Sequence, residues 1–216
     1  MKNRSEKLRR SVLMAMMAAI AYLIVSYIRI PVVLFLKYEP KDVVITIAGF
    51  LLGPMASFAI SFVVSLLEMV TVSDTGPIGA LMNLLSTCTF ACTAALVYKK
   101  CHKLKGAVLG LAAGSATMIV SMLLWNWLIT PLYMGVAREQ VEALILPAFL
   151  PFNALKAGLN SALILGLYKP LTSALRRTRL LPSVPESKSR RPGLYLCALA
   201  LLATCVLFLL VLKGIL

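Results

Sequence analysis

The chain has 216 residues, of which 60% are hydrophobic and 14% are charged, and its mean hydropathy is +0.91. Because a soluble domain usually carries about 25% charged residues, this composition excludes a water-soluble globule. The formal net charge of +14 would also suit a nucleic-acid-binding protein. The basic residues, however, form short clusters between apolar runs, as they do in the cytoplasmic loops of membrane proteins. We therefore exclude nucleic acid as a partner and expect an all-α polytopic membrane protein.

Long runs without charge define the candidate membrane spans. About 20 mainly apolar residues cross a bilayer as a helix. Five charge-free runs approach or exceed this length, namely 11–28, 43–67, 75–98, 106–137 and 192–212. A sixth apolar stretch, 143–168, is interrupted by Lys156 alone. The first run follows a basic N-terminus as in a signal peptide, but it is long and more spans follow, so we expect a retained helix.

Loop charge decides how the run 43–67 crosses the membrane. Sixteen of the 22 basic residues fall in the segments 2–10, 99–105 and 169–191. One long span would separate the first cluster from the other two. Two short spans meeting at Gly53-Pro54 place all three clusters on the cytoplasmic side, with the N-terminus, as the positive-inside rule requires.

The resulting layout is a bundle of six spans with an addition at its C-terminal end. The spans are expected at about 11–29, 42–53, 54–70, 77–98, 106–134 and 147–169. The chain then divides into a six-helix substrate-binding domain (1–172), a basic cytoplasmic linker (173–192) and an extra hydrophobic helix (193–216). The first domain obeys the charge rule without this last helix.

Motifs for catalysis are missing from the sequence. It contains no GxxxxGK phosphate loop, no HExxH or GxSxG motif, and no acidic cluster suited to two metal ions. Its five cysteines lack CxxC spacing, and its one histidine, His102, lies in a lysine-rich loop. We therefore expect a protein that is not an enzyme and that holds neither a metal nor a cofactor.

Three polar residues interrupt the last span of the bundle. Asn153, Lys156 and Asn160 are spaced i, i+3 and i+7, which places them on one helical face. A lysine inside a span costs about 2.5–3.5 kcal/mol at the bilayer centre, so it normally faces a cavity or a polar partner. The alternative is a lysine that snorkels to the interface beside two asparagines that pack helices together. The stripe favours a binding site.

Two further segments carry candidate ligand contacts. Trp125-Asn126-Trp127 offers an amide donor and acceptor between rings that either stack on a ligand or belong to the interfacial aromatic belt. The segment 68–79 ends in Asp74-Thr75-Gly76-Pro77, which predicts a turn and an N-cap for the next helix. Glu68, at the outer end of its helix, is expected to be solvated.

Small residues at four-residue spacing indicate close helix packing. Ala15 and Ala19 form such a pair in the first span, and Gly106, Gly110 and Gly114 repeat in the fifth. Packing against another helix of the same chain is the default interpretation of both patterns.

Four consecutive motifs together resemble one family. They lie at Leu36–Asp42, Glu68–Gly79, Trp125–Gly135 and Leu150–Asn160. In these segments the chain resembles the riboflavin-specific S components (RibU type) of energy-coupling factor (ECF) vitamin transporters, from about residue 8 to 172. The final helix departs from the six-helix pattern of that family.

The resemblance implies a substrate-capture subunit in a bacterial plasma membrane, which takes riboflavin from outside and toggles against a T component driven by two ATPase subunits. It implies a pocket near the outer face. The residues that it places there are Asn126, Asn153, Lys156 and Asn160, with Leu36, Tyr38, Thr75 and Gly76 closing the pocket from the loops. The Ala15/Ala19 pair would match the surface that contacts the T component.

The chemistry of flavin agrees with this implication. Its pyrimidine edge alternates acceptors with an N–H donor, which asparagine amides match, and its ribityl chain is neutral. One lysine on the outer pocket face favours riboflavin over a phosphorylated flavin. An S component for another vitamin, a stand-alone secondary transporter and an intramembrane enzyme are the alternatives.

Overall fold

The computed structural model describes residues 2–177 and 192–212, which form an α-helical bundle with a β-hairpin at one end. The elements in chain order are α1 (Lys2–Tyr27), β1 (Ile30–Val33), β2 (Leu36–Tyr38), α2 (Lys41–Leu52), α3 (Pro54–Thr71), α4 (Gly76–Lys100), α5 (Leu104–Met134), α6 (Arg138–Leu144), α7 (Leu150–Arg177) and α8 (Pro192–Leu212). A π-helical segment, Ile145–Phe149, joins α6 to α7. Most of the predicted linker 173–192 lies outside the described residues.

The helical lengths confirm the predicted fold class. Five stretches are long and apolar enough to cross a membrane, namely Glu6–Tyr27, Pro54–Thr71, Gly76–Lys100, Leu104–Met134 and Arg138–Tyr168. α2 differs from them, because its 12 residues extend for about 18 Å at 1.5 Å per residue. That is short of the roughly 30 Å of a hydrocarbon core.

The run 43–67 divides into two helices where the loop charges required it. α2 ends at Leu52 and α3 begins at Pro54. Gly53 between them has φ 94°, a conformation that is open to glycine and strained for other residues. Pro54 occupies the first turn of α3, where its missing N–H leaves no helical hydrogen bond unmade.

The first two basic clusters and the described part of the third, residues 169–177, border the same end of the bundle, which we call the basic end. Arg10 Nη2 donates a hydrogen bond of 2.8 Å to the carbonyl of Leu52, so the start of α1 meets the end of α2. The ring centroid of Tyr98, at the end of α4, lies 4.5 Å from the ring centroid of Phe50, near the end of α2. Its hydroxyl lies 2.6 Å from that of Tyr168 on α7. The arrangement derived from loop charge is confirmed to this extent.

α2 is the central helix of the bundle. Every residue from Lys41 to Phe50 is buried, and α1, α3, α4 and α7 pack around it. A helix that is apolar on all sides is expected to be enclosed in this way. Its two charged residues, Lys41 and Asp42, therefore lie inside the protein at the end opposite to Gly53.

α4 and α5 approach each other through glycine. A Cβ atom added at Gly110 would lie 2.6 Å from the carbonyl oxygen of Ala94, and one at Gly114 would lie 2.5 Å from that of Phe90. Any larger residue at these positions would force the two backbones apart. The glycine repeat thus serves packing within the chain, as the default interpretation predicted.

The segment 30–41 between the first two predicted spans, for which no secondary structure was predicted, contains a β-hairpin. β1 and β2 pair antiparallel, with Ile30 opposite Tyr38, and Leu34 at the turn has φ 51°. The turn directs Phe35 toward the bundle. The centroid of its ring lies 5.3 Å from the ring centroid of Tyr133 and 6.4 Å from that of Phe149. The hairpin thus covers the ends of α5 and of the π-helical segment.

The predicted C-terminal helix is present as α8, and it packs along α7. Cys205 is buried at this contact, 9% exposed. Cys205 belongs to an apolar cluster with Tyr38, Leu155 and Leu159, and Leu202 and Leu209 of α8 pack against this cluster. α8 also touches β1, so it reaches the end of the bundle that carries the hairpin.

Candidate functional site

A cavity lies beneath the hairpin, at the end of the bundle away from the basic clusters. The space between its walls, part of which is open to solvent, is about 540 Å³. Its walls come from the end of α1, the hairpin, the loop before α4, and helices α4, α5 and α7. The lining residues are Arg29, Phe35, Leu36, Lys37, Glu39, Ser73, Asp74, Thr75, Met82, Asn83, Ser86, Met122, Phe152, Asn153 and Lys156.

An apolar slot of about 250 Å³ adjoins this polar cavity. Phe35, Thr75 and Met82 line both spaces, so the two are neighbours. The other residues of the slot are Ile78, Gly79, Trp125, Ile129, Thr130 and Tyr133. The combined site thus has a polar part and a part lined by aromatic and aliphatic side chains.

The polar stripe on α7 faces the cavity and its inner wall. Asn153 and Lys156 line the cavity, while Asn160 is fully buried behind them. Lys156 is 4% exposed, and its Nζ lies 3.1 Å from Asp42 Oδ2 and donates to Ser86 Oγ at 3.1 Å. The ammonium group is therefore held inside the bundle, so the alternative of a lysine that snorkels to the interface is wrong.

Asp42 is the centre of the wall behind Lys156. Thr87 Oγ1 donates to its Oδ1 at 2.7 Å, and Asn160 Nδ2 donates to its Oδ2 at 3.4 Å. The hydroxyl of Tyr38 donates to Asn160 Oδ1 at 3.1 Å. Burial raises the pKa of Tyr38, which keeps the hydroxyl protonated as a donor. The hairpin, α2, α4 and α7 are thereby joined by one hydrogen-bonded chain.

A second buried network joins the two residues that flank the hairpin, Arg29 and Glu39, to α2, α3 and α4. Arg29 lies 3.3 Å from Glu39 and 2.8 Å from Glu68, measured between side-chain nitrogen and oxygen. Lys41 lies 2.7 Å from Glu39 and also contacts Glu68. Asn83 Nδ2 donates to Glu68 at 2.7 Å. The expectation that Glu68 is solvated was wrong: it is 2% exposed, because its charge is matched by two cations.

An ion pair between the hairpin and the loop before α4 closes the mouth of the cavity. Lys37 on β2 contacts Asp74 in the loop before α4. The hydrogen bond from Lys37 and its charge hold the pKa of Asp74 below its usual value. α4 begins at Gly76 as the turn signal predicted, but its N-cap residue Thr75 makes no side-chain cap hydrogen bond. The predicted start of the helix is thus right, but the predicted capping by a side-chain hydrogen bond is wrong.

The charges around the cavity sum to zero. Four cations stand against four carboxylates: Arg29, Lys37, Lys41 and Lys156 against Glu39, Asp42, Glu68 and Asp74. The expectation of one lysine on the pocket face was wrong, because Arg29 and Lys37 also line it. Since each cation already has a carboxylate partner, the site as a whole offers no unmatched positive charge.

The eight predicted site residues fall into four positions. Leu36, Thr75, Asn153 and Lys156 line the cavity, and Tyr38 and Asn160 form the layer behind it. Asn126 is buried in α5, where it donates to the Met122 carbonyl at 2.8 Å and accepts from Thr130 at 2.9 Å. Gly76 opens α4 beside Thr75, with φ 59°.

The two tryptophans of α5 occupy different surroundings. Trp125 lines the apolar slot. Trp127 donates from Nε1 to Glu142 at 2.8 Å, and the guanidinium of Arg138 lies 4.8 Å from the centre of its ring. Trp125 therefore matches the stacking interpretation, and Trp127 matches the interfacial one.

The sequence analysis missed most of the charged residues in and behind the cavity wall. It gave no role to Arg29, Glu39, Asp42 or Asn83. A usable signal was present, because Glu39, Lys41 and Asp42 follow one another at the start of a fully apolar helix. Charges at such a position require partners, although the sequence does not say which.

The small-residue pair on α1 lies apart from the cavity. Ala15 and Ala19 are both exposed on the flank of the bundle, whereas Leu13 and Met17 on the same helix are buried in the core. The default interpretation, packing within the chain, is therefore wrong for this pair.

The comparison with family models is decisive. The model described as "ECF transporter, substrate-specific component" matches residues 9–168, which include most of α1, all of α2 to α6 and most of α7. The chain belongs to this family. It is therefore a membrane transport component rather than an enzyme.

Individual members of the family agree with this assignment. The chain is 26% identical over 179 residues to the riboflavin transporter RibU of Staphylococcus aureus (strain TCH60), covering 78% of this chain and 93% of that protein. It is 25% identical over 163 residues to the riboflavin transporter FmnP of Bacillus subtilis (strain 168), covering 69% and 85%. A solved structure, "Structure and mechanism of the S component of a bacterial ECF transporter", superposes with a TM-score of 0.68 at 27% identity, covering 79% of this chain and 99% of that one.

Proposed function

We propose that this ECF substrate-specific component captures riboflavin at the outer face of a bacterial plasma membrane. The observation that carries the proposal is the pairing of an apolar slot with a charge-balanced polar cavity under the hairpin. A flat ring with a neutral polyol chain needs both environments. The two relatives described as riboflavin transporters support this choice of ligand.

The ring system fits the apolar part of the site. Trp125, Tyr133 and Phe35 line the slot together with aliphatic side chains, and aromatic faces stack favourably on planar rings. In the adjoining polar cavity, Asn153 and Lys156 offer hydrogen bonds to the polar edge of the ring. Asn126 supports the slot through Thr130.

The charge balance of the cavity favours riboflavin over its phosphorylated forms. A phosphate group is bound well where unmatched cations or several free N–H donors meet it. Here the cations are matched by carboxylates, and Glu39 and Asp74 themselves line the cavity. Adding a dianionic phosphate would require an ion pair to open. We expect riboflavin to bind more tightly than its monophosphate.

We infer that a partner protein drives delivery of the bound riboflavin to the cytoplasm. We infer that the exposed Ala15/Ala19 face of α1 contacts a T component, which two ATPase subunits drive. The basic end of the bundle is assigned to the cytoplasm, with the N-terminus, by the positive-inside rule. The cavity then opens outward, where an importer must collect its substrate.

The direct test is identification of the ligand of the purified full-length protein by mass spectrometry, followed by a binding titration. Riboflavin is expected to co-purify and to raise the melting temperature, because a ligand that binds the native state stabilises it. Absence of binding at saturating riboflavin, with another vitamin bound instead, would overturn the choice of ligand. Uptake by liposomes that contain this protein without any ATPase would favour a secondary transporter.

A further inference from the structure

α8 lies outside the part of the chain that the family model matches. That match ends at residue 168, whereas α8 spans Pro192–Leu212. The helix nevertheless joins an apolar cluster that includes a residue of the predicted site. Cys205, Tyr38, Leu155 and Leu159 are its buried members, and Ile30, Val32, Leu202 and Leu209 pack against them.

The fit between α7 and α8 depends on a glycine. A Cβ atom at Gly158 would lie 2.6 Å from Cys205 Sγ, closer than van der Waals contact allows. Gly158 is on α7 between Leu155 and Leu159, which are 2% and 5% exposed. α8 therefore lies directly against the segment of α7 that carries the polar stripe.

Contacts run without a gap from α8 to the cavity. The ring of Tyr38 packs in the α8 cluster, and its hydroxyl donates to Asn160. Asn160 in turn donates to Asp42, which pairs with Lys156 on the cavity wall. On the other strand of the hairpin, Ile30 and Val32 pack against the same cluster.

We propose that α8 is a positioning element that holds the hairpin closed over the cavity. It anchors β1 and Tyr38 against α7, so the hairpin opens only when these apolar contacts separate. Release of a ligand from beneath the hairpin is thereby slowed. The effect on ligand release rests on the proposed function, whereas the anchoring of the hairpin does not depend on it.

The first experiment shortens the side chains through which α8 holds the hairpin. Leu202→Ala and Leu209→Ala remove contacts to the cluster. Leu201→Ala and Leu207→Ala are matched controls, since those side chains point outward and are 39% and 55% exposed. We expect the Leu202 and Leu209 variants to release riboflavin about tenfold faster, with no fall in association rate, because changes in one interface act mainly on dissociation. The controls should match wild type.

A readout without ligand separates positioning from general stability. Hydrogen exchange of the backbone amides in residues 30–38 is expected to accelerate in the unliganded Leu202→Ala and Leu209→Ala proteins. Exchange in α4 and α5, far from α8, should stay unchanged. A loss of protection throughout the bundle would indicate a purely structural helix and would overturn the proposal.

A second pair of variants tests the same contact from α7. Gly158→Leu inserts a side chain where Cys205 lies, whereas Gly166→Leu is a control on the same helix, because nothing lies within 4 Å of a Cβ there. Faster release and faster hairpin exchange are expected in the first variant alone. If wild type binds riboflavin and all these variants release it at the wild-type rate, the α8 proposal fails while the proposed function stands. If wild type does not bind riboflavin, the hairpin exchange alone decides the α8 proposal.

Discussion

At the scale of single residues, the pairing with Asp42 allows the charged side chain of Lys156 to lie buried in the cavity wall. A buried lysine is retained where a carboxylate and further hydrogen bonds compensate its lost hydration. Asp42 and Ser86 supply this compensation directly, and Thr87 and Asn160 donate hydrogen bonds to Asp42. Lys156 thus has two roles to separate, one in the fold and one in ligand contact.

Lys156→Met is expected to lower the free energy of unfolding by about 3–5 kcal/mol, because it leaves the Asp42 carboxylate buried without its cation. The double variant Lys156→Met/Asp42→Asn removes both charges and should recover most of that loss. Riboflavin binding should stay weak in both variants, since the ammonium donor is missing. Thermal unfolding and a binding titration measure the two effects.

The double variant is the control that separates the role of Lys156 in the fold from its role in ligand contact. If it regains stability and also wild-type affinity, Lys156 serves the fold alone, and its assignment as a ligand contact is wrong. If it stays as unstable as the single variant, the ion pair is not the source of the instability.

At the scale of secondary-structure elements, the break between α2 and α3 is set by backbone conformation. Gly53→Ala places a side chain at φ 94°, ψ 168°, a region that is essentially confined to glycine and costs on the order of 1–3 kcal/mol for other residues. We expect a lower melting temperature with riboflavin affinity retained, because the break lies at the basic end. Gly166→Ala, inside α7 with open space around it, should be neutral or stabilising.

The hairpin and the loop before α4 are joined across the cavity mouth by Lys37 and Asp74. Asp74→Asn is expected to speed riboflavin release about twofold to fivefold at neutral pH and low salt. The difference from wild type should shrink in 1 M salt, where screening is effective within about 3 Å. Release rates from stopped-flow fluorescence would measure it.

The pH dependence of this effect has a defined sign. Lys37 holds the pKa of Asp74 below its ordinary value. The contribution of the pair is therefore complete above that ordinary value and is lost as the pH falls through the lowered one. Wild type and Asp74→Asn should thus differ at neutral pH and converge in acid. A difference that persists after Asp74 is protonated would contradict this account.

At the scale of the whole molecule, the capture site and the proposed coupling face are separate. Ala15→Leu and Ala19→Leu enlarge exposed residues on α1 and should leave riboflavin affinity unchanged. ATP-dependent uptake with the T component and ATPases should fall at least about tenfold, because a bulkier side chain keeps a partner helix from close approach. Ala112→Leu and Ala116→Leu are matched controls, an exposed pair with the same spacing on α5. Loss of binding in the α1 variants would contradict the separation.

The sequence predicted those parts of the fold that hydropathy and loop charge control. It placed the helices, the break at Gly53-Pro54 and the common end of the basic clusters, because lipid requires long apolar helices and the positive-inside rule orients their loops. It missed the hairpin, since the strands Ile30–Val33 and Leu36–Tyr38 are too short to show a clear alternation. It also missed α6, which lies between the fifth and sixth predicted spans.

For the site, the sequence identified residues by type and spacing but not by partner. The stripe of Asn153, Lys156 and Asn160 stood out because polar groups in a span are costly. Glu68 was misjudged as solvated because its partners, Arg29 and Lys41, are 39 and 27 positions away in the chain. Ion pairs at such separations depend on how the helices pack.

What the sequence alone determined about this protein is its membrane class, the order of its helices and the family to which its motifs point. These follow from local composition and from charge counted along the chain. The tertiary structure decided which cations meet which carboxylates, and hence that the charges of the cavity wall are balanced by those of the ion pairs behind it. It also decided that α8 packs beside the hairpin. Both depend on contacts between residues distant in sequence, and packing in three dimensions alone brings such residues together.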